Sequence, residues 1–110
     1  MARTWALHRA MLDRGDPSPF ADWLQDWSEE QVGQEPSRVT TSIRCAAYFP
    51  VRDRALLAHA TQIDPEGDWF RIPLEVQRRV WPTEDYELVV DRVGAVLPED
   101  DLFAGVAVEA

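Results

Sequence analysis

The side chains best suited to chemistry in this sequence lie in residues 56–70, LLAHATQIDPEGDWF. His59 can exchange a proton near neutral pH, and Gln62 can both donate and accept hydrogen bonds with a polar substrate. Because the two residues are three positions apart, a helix would carry them on one face. We predict that His59 and Gln62 contact a substrate. A histidine satisfied by neighbouring backbone or a carboxylate is the alternative for His59.

Several classes of catalytic centre lack the residues that they need here. A catalytic zinc takes three protein ligands, whereas the sequence has two histidines, His8 and His59, and no HExxH motif. Cys45 has no CxxC partner, and a small buried thiol is a simpler interpretation than a Cys45–His59 pair. GxGxxG, GxxxxGK[ST] and GxSxG motifs are absent from the sequence. We predict no metal ligand and no catalytic residue in this chain.

Charge and hydropathy narrow the classes of partner. Twenty acidic and eleven basic residues give a net charge of -9, which would repel nucleic acid and an anionic membrane surface. No apolar run approaches the roughly 18 to 20 residues that span a bilayer, and Arg3 and Arg9 interrupt the first 14 residues, unlike a secretory signal. We therefore expect a cytoplasmic protein that binds neither nucleic acid nor membrane.

Apolar periodicity predicts two helices near the N-terminus. Residues 1–14 show helical spacing, and Gly15 ends the pattern as a C-terminal glycine does. Ser18 is predicted as the N-cap of the second helix, with Pro19 at its first position. Residues 28–37 are polar and acidic, which indicates a surface loop. The apolar face of the second helix comprises Phe20, Trp23, Leu24 and Trp27.

A strand and a helix are predicted in the middle of the chain. β-Branched residues at alternate positions favour a strand over residues 38–45. A helical stripe begins near Tyr48 or Pro50 and should stop near Gln62 to Asp64, because Pro65 disfavours helical geometry at Asp64.

The C-terminal third is predicted as a helix, a strand and a loop-rich tail. Pro73 fits the first turn of a helix and Pro82 closes it. Alternation then predicts a strand over residues 85–93, followed by a loop-rich tail over residues 94–110.

These elements make an incomplete fold by themselves. A two-stranded sheet is marginal in water, and about forty residues separate the two strand segments instead of a hairpin turn. We predict that the strands pair with strands outside this chain or with a second copy. The fold class is therefore an α/β fragment, α+β as an isolated chain, forming a single partial domain over residues 1–110.

Several stretches together resemble one protein family. They are AHATQIDP at 58–65, DWF at 68–70, PLEVQRRVWPTEDYEL at 73–88 and DLFAG at 101–105. PFADWLQDW at 19–27 and SRVTTSIRCAAYFPVRDRALLAHATQ at 37–62 extend the likeness over nearly the whole chain. The chain resembles the amidase branch of the LmbE-like (PIG-L) zinc-dependent N-deacetylases and amidases. AHATQ alone would indicate the wider family, whereas AHATQIDP with WPTEDYEL favours the amidase branch over the sister deacetylase.

This resemblance implies the C-terminal part of a Rossmann-like enzyme that cleaves the amide of mycothiol S-conjugates during detoxification. In such enzymes a zinc-bound water attacks the amide and an aspartate acts as base, with ligands in His-Pro-Asp-Asp and His-Pro-Asp-His motifs. Neither motif occurs in this sequence. Zinc is thus implied for the full-length enzyme and no cofactor for this chain, which we expect to be a fragment inactive alone.

The expected partners follow from the same resemblance. We predict either an N-terminal half of the amidase or a homo-oligomer, since helices that pack on a missing sheet would leave apolar side chains uncovered. A non-enzymatic remnant or a small interaction module is the first alternative, and a segment of the mycothiol-biosynthesis N-deacetylase is the second. The side chains expected to lack cover are Trp5, Met11, Trp23 and Trp27.

Overall fold

A computed structural model describes residues 1–107, which divide into two compact units. The first unit comprises Met1–Glu35 and Ala46–Pro82, and the second comprises Pro36–Cys45 and the residues from Thr83 onward. Helices make up the first unit and a two-stranded antiparallel sheet lies in the second, so the chain is an α+β fragment as predicted. The assignment of residues 1–110 to one partial domain stays a prediction.

The helices and strands are shorter than the sequence patterns indicated. Short 3-10 turns lie at Ala46–Tyr48 and Asp68–Arg71. The helices are α1 (Ala2–Asp13), α2 (Ala21–Leu24), α3 (Glu29–Gln34), α4 (Phe49–Leu57) and α5 (Leu74–Val80), and the strands are β1 (Thr41–Arg44) and β2 (Thr83–Tyr86). No helix among the described residues is long and apolar enough to cross a bilayer.

Helix α1 ends as predicted, at a glycine with left-handed backbone. Gly15 has φ 80°, and its N–H donates to the Leu12 carbonyl oxygen at 2.9 Å. The Asp16 N–H donates to the Met11 carbonyl oxygen at 3.0 Å. This pair of hydrogen bonds is the Schellman motif, which satisfies carbonyls that the helix leaves unpaired.

The core of the first unit lies between α1 and α5. Leu7, Ala10 and Met11 share one face of α1 and pack with Ile72 and Val76, all of them buried. The prediction that Met11 lacks cover is therefore wrong, because α5 supplies it. Trp23, in contrast, is 56% exposed.

Two sequence predictions in the first unit require correction. Residues 28–37, predicted as a surface loop, contain α3, because Ser28 and Gln31 form a reciprocal capping box and Val32 is buried. The SEEQ pattern at residues 28–31 is the sequence signal of this box. Ser18 is not the N-cap of α2, because the helix begins later, at Ala21, with Phe20 as its N-cap; the Ser18 hydroxyl accepts from the Phe20 N–H at 3.2 Å in the turn before the helix.

The second unit contains a pairing that the sequence did not predict. Strands β1 and β2 pair with each other in antiparallel register, Thr41 opposite Tyr86, so the expectation that both pair outside the chain is wrong. The ladder ends at Tyr86 because the Thr40 hydroxyl accepts from the Leu88 N–H at 2.7 Å, in place of a strand carbonyl. In the tail, Glu99 forms a parallel bridge with Thr41. Residues 108–110 of the predicted tail lie outside the described residues.

Candidate functional site

His59 lies just beyond α4, where its ring satisfies the end of the helix. The Nδ1 atom is 2.8 Å from the Ala55 carbonyl oxygen, and the His59 backbone N–H donates to the Leu56 carbonyl oxygen at 3.0 Å. A carbonyl only accepts, so Nδ1 carries a proton in this contact, and in the tautomer with that single proton Nε2 is an acceptor. The alternative role, a histidine satisfied by neighbouring backbone, is thus present for His59, while Nε2 stays available on an exposed residue.

Gln62 lies in the same turn, not on a helix face as predicted. Helix α4 ends at Leu57, and the N–H groups of Gln62 and Ile63 both donate to the His59 carbonyl oxygen, at 2.8 and 3.0 Å. The prediction that α4 extends to Gln62 is wrong because the His59 ring replaces the next backbone donor to Ala55. The backbone hydrogen bond from Gln62 to His59 therefore sets the position of Gln62, whose side chain is exposed.

The Asp-Pro turn that follows is closed by backbone and side-chain hydrogen bonds. The Asp64 carboxylate accepts from the Glu66 N–H at 2.9 Å, and the Asp64 carbonyl accepts from the Gly67 N–H at 3.0 Å. A Cβ at Gly67 would lie 3.0 Å from that carbonyl oxygen, so the turn favours glycine there. The turn leads directly into the 3-10 segment that contains Trp69.

Trp69 attaches this segment to the core of the first unit. It packs against the buried cluster and meets Trp81 edge to face, with ring centroids 5.9 Å apart. The Arg52 guanidinium lies 4.0 Å from the Phe49 ring centroid and 5.0 Å from that of Trp69. Trp69 thus helps to cover the core of the first unit.

Arg52, Asp53 and Gln77 form a polar network that the sequence did not predict. Arg52 donates to the Gln77 Oε1 atom at 2.6 Å and to the Asp53 carboxylate at 2.9 Å. The Gln77 Nε2 donates to the Ile72 carbonyl oxygen at 2.9 Å, and Gln77 is buried. The sequence signal for this network is Gln77, a glutamine next to the apolar residues of α5. The network connects α4, which carries the His59 turn, to α5.

His8 serves the structure of the first unit. Its Nδ1 lies 2.8 Å from the Ser18 hydroxyl, and its ring lies 5.5 Å from that of Trp5. Desolvation by burial lowers the pKa of His8 below 6.5, and the nearby charge of Arg9 lowers it further. His8 therefore favours its neutral form in the folded chain.

The described residues do not fit a zinc ion. Over residues 1–107, no group of three or more His, Cys, Asp or Glu side chains could hold a metal. A catalytic zinc takes three protein ligands. Cys45 is a free, half-buried thiol in the second unit, so its prediction as a small buried thiol is only partly right.

A cleft of about 570 Å³ beside α1 and α5 does not include His59 or Gln62. Arg14 on its wall donates to Glu75 at 2.6 Å and Asp16 at 3.0 Å, and the Glu75 hydrogen bond raises the pKa of Arg14. The remaining charges of the cleft have both signs, so it singles out no class of ligand. It is lined by Trp5, Ala6, Arg9, Ala10, Asp13, Arg14, Glu29, Arg79 and Val80.

Curated relatives of the chain include an amidase and deacetylases. The chain is 59% identical over 104 residues to the mycothiol S-conjugate amidase of Streptomyces coelicolor, a match that covers 94% of this chain and 35% of the relative. It is 38% identical over 73 residues to the 1D-myo-inositol 2-acetamido-2-deoxy-alpha-D-glucopyranoside deacetylase of Streptomyces avermitilis, covering 66% of this chain and 24% of the relative. The deacetylase of the same name from Geodermatophilus obscurus is 35% identical over 97 residues, a match that covers 87% of this chain and 33% of the relative.

The chain spans about a third or less of the length of these relatives. No family model matches the chain, and no solved structure matches it. The likeness to the amidase runs along almost all of the chain and exceeds the likeness to either deacetylase. The chain is therefore similar to the C-terminal region of a mycothiol S-conjugate amidase and, at lower identity, to deacetylases of the related LmbE-like (PIG-L) family.

Proposed function

We propose that this chain is the C-terminal region of an amidase that hydrolyses mycothiol S-conjugates in the cytoplasm. In this proposal the zinc centre is supplied by polypeptide outside the 110 residues. The observation that carries the proposal is the 59% identity to the Streptomyces coelicolor amidase over 94% of this chain. The sequence identity to the two deacetylases is lower, 38% and 35%.

The contribution of this chain is to position substrate. The His59 Nε2 accepts a hydrogen bond from a hydroxyl group of the substrate, since Nδ1 is already used by the Ala55 carbonyl. The Gln62 amide both donates and accepts, which suits a second hydroxyl of a sugar-like group. Both side chains are exposed and belong to one tight turn, so they reach the same ligand without a rearrangement of the core.

A turnover assay tests the proposal. The chain is mixed with the part of the Streptomyces coelicolor amidase that it does not span, and hydrolysis of a mycothiol bimane conjugate is measured with zinc present. We expect turnover by the mixture and none by the chain alone. Turnover by the isolated chain would contradict the assignment of the metal centre to other polypeptide.

Substrate positioning is tested in the same assay. We expect His59→Ala and Gln62→Ala to raise KM about tenfold, as loss of one or two hydrogen bonds predicts. Thr61→Ala, an exposed residue in the same turn, is the matched control and should leave KM unchanged. Faster hydrolysis of an N-acetylglucosaminyl inositol than of the conjugate would indicate the deacetylase activity instead.

A further inference from the structure

The second unit has no apolar core of its own among its described residues. Within residues 1–107, all the buried apolar side chains belong to the first unit, and the buried residue of the second is Thr41. A sheet of two short strands is marginal in water unless one face is covered. The second unit carries many exposed large apolar side chains: Val39, Tyr86, Val89, Val90, Val93, Val96, Leu97, Leu102, Phe103 and Val106.

The most exposed run within this set follows β2 directly. Val89 is 83% exposed and Val90 is 65% exposed, although Tyr86, Val89 and Val90 are residue types that favour strands. A monomeric protein rarely leaves adjacent large apolar side chains open to water, so such a run indicates an interaction site. We call residues 86–90 the valine segment.

The valine segment is held in place at both ends. At its start, the Thr40 N–H donates to the Tyr86 carbonyl oxygen at 3.0 Å, and in its middle the Leu88 N–H donates to the Thr40 hydroxyl at 2.7 Å. Beyond its end, the Asp91 carboxylate accepts from the N–H groups of Val93, Gly94 and Ala95 at 2.8 to 3.0 Å. The segment is therefore arranged before binding, which reduces the ordering cost of an interface.

Charge indicates which polypeptide covers the segment. Over residues 36–45 and 83–107 there are seven acidic and three basic residues, a net charge of 3 − 7 = −4. Two such units facing each other would repel, which disfavours a second copy of this chain. The matched amidase is much longer than this chain, which spans 35% of it. We infer that the valine segment docks on that remaining part of the amidase, at an apolar surface with a basic rim.

This inference rests on the proposed function, because it names the surface through which the chain joins the catalytic part. The test measures the dissociation constant between the full chain and the remaining part of the Streptomyces coelicolor amidase by titration calorimetry. The variant Val89→Ser with Val90→Ser should weaken binding by about tenfold or more. The matched control is Val51→Ser, a 51% exposed valine on α4 in the first unit. It should change binding less than about twofold.

Each outcome decides a separate claim. Unchanged affinity of the double variant, or no binding by the unaltered chain, overturns the inference. Self-association that the double variant abolishes would assign the segment to a second copy and also overturn it. Weakened binding together with normal turnover at saturating concentrations supports both proposals. Tight binding through the valine segment without hydrolysis supports this inference and contradicts the proposed function.

Discussion

The His59 ring and the Ala55 carbonyl oxygen lie 2.8 Å apart across the last turn of α4, and this contact ends the helix. The last carbonyls of a helix have no backbone donor within it. The imidazole supplies one of those donors through Nδ1. The residue with the strongest chemical signal in the sequence is therefore also a structural cap, and this contact does not use its Nε2 atom.

Replacing His59 should therefore lower stability as well as substrate affinity. We expect His59→Ala to reduce the free energy of unfolding by about 1 kcal/mol. The Ala55 carbonyl would lose its hydrogen-bond donor, and the loss is modest because that donor is an exposed side chain. Urea denaturation followed by circular dichroism measures this. Thr61→Ala, which removes an exposed side chain from the same turn, should change stability by less than about 0.5 kcal/mol. Equal stability of both variants would show that the cap is energetically silent.

Gln77 should be among the most sensitive polar positions in the first unit. Gln77→Ala leaves the Ile72 carbonyl and the half-buried Arg52 without this partner and opens a cavity. We expect a loss of about 2 to 4 kcal/mol in the free energy of unfolding. The control is Gln34→Ala at an exposed position of α3, with a change within about 0.5 kcal/mol. A loss at Gln77 no larger than at Gln34 would contradict the network.

Two glycines should respond to alanine in opposite directions. Gly15 has φ 80° and no atom within 4 Å of the position that a Cβ would take, so Gly15→Ala should cost about 1 kcal/mol through backbone strain alone. Gly33 lies inside α3 with no positive φ and equally open space, so Gly33→Ala should stabilise by about 0.5 to 1 kcal/mol. Thermal melts of both variants measure the difference, and two shifts of the same sign would refute this explanation.

His8 should make stability depend on pH. Its pKa is lower in the folded chain than the unfolded value of 6.5, so the unfolded state binds more protons below that pH. The contribution of His8 to stability is complete above pH 6.5 and is lost as pH falls through the folded pKa. We expect the unaltered chain to lose more stability than His8→Gln between about pH 7.5 and about pH 5.5. Parallel losses in the two proteins, measured by urea denaturation, would argue against this role.

Local sequence signals determined the elements whose physics is local. The helical spacing of Trp5, His8, Met11 and Leu12, with Gly15 after them, predicted α1 and its end, because helix periodicity and a left-handed cap depend on neighbouring residues. Pro73 and Pro82 bounded α5 for the same reason. AHATQIDP and WPTEDYEL indicated the family, because the order of residues within each motif is itself the signal.

Tertiary structure decided the features that depend on residues distant in sequence. The pairing of Thr41 with Tyr86 joins segments separated by the whole of α4 and α5, and no hairpin signal marks it. The bond between Arg52 and Gln77 depends on how α4 meets α5. The cover of Met11 and the exposure of Val89 likewise depend on which surfaces meet, and a side chain's own type does not specify its neighbour.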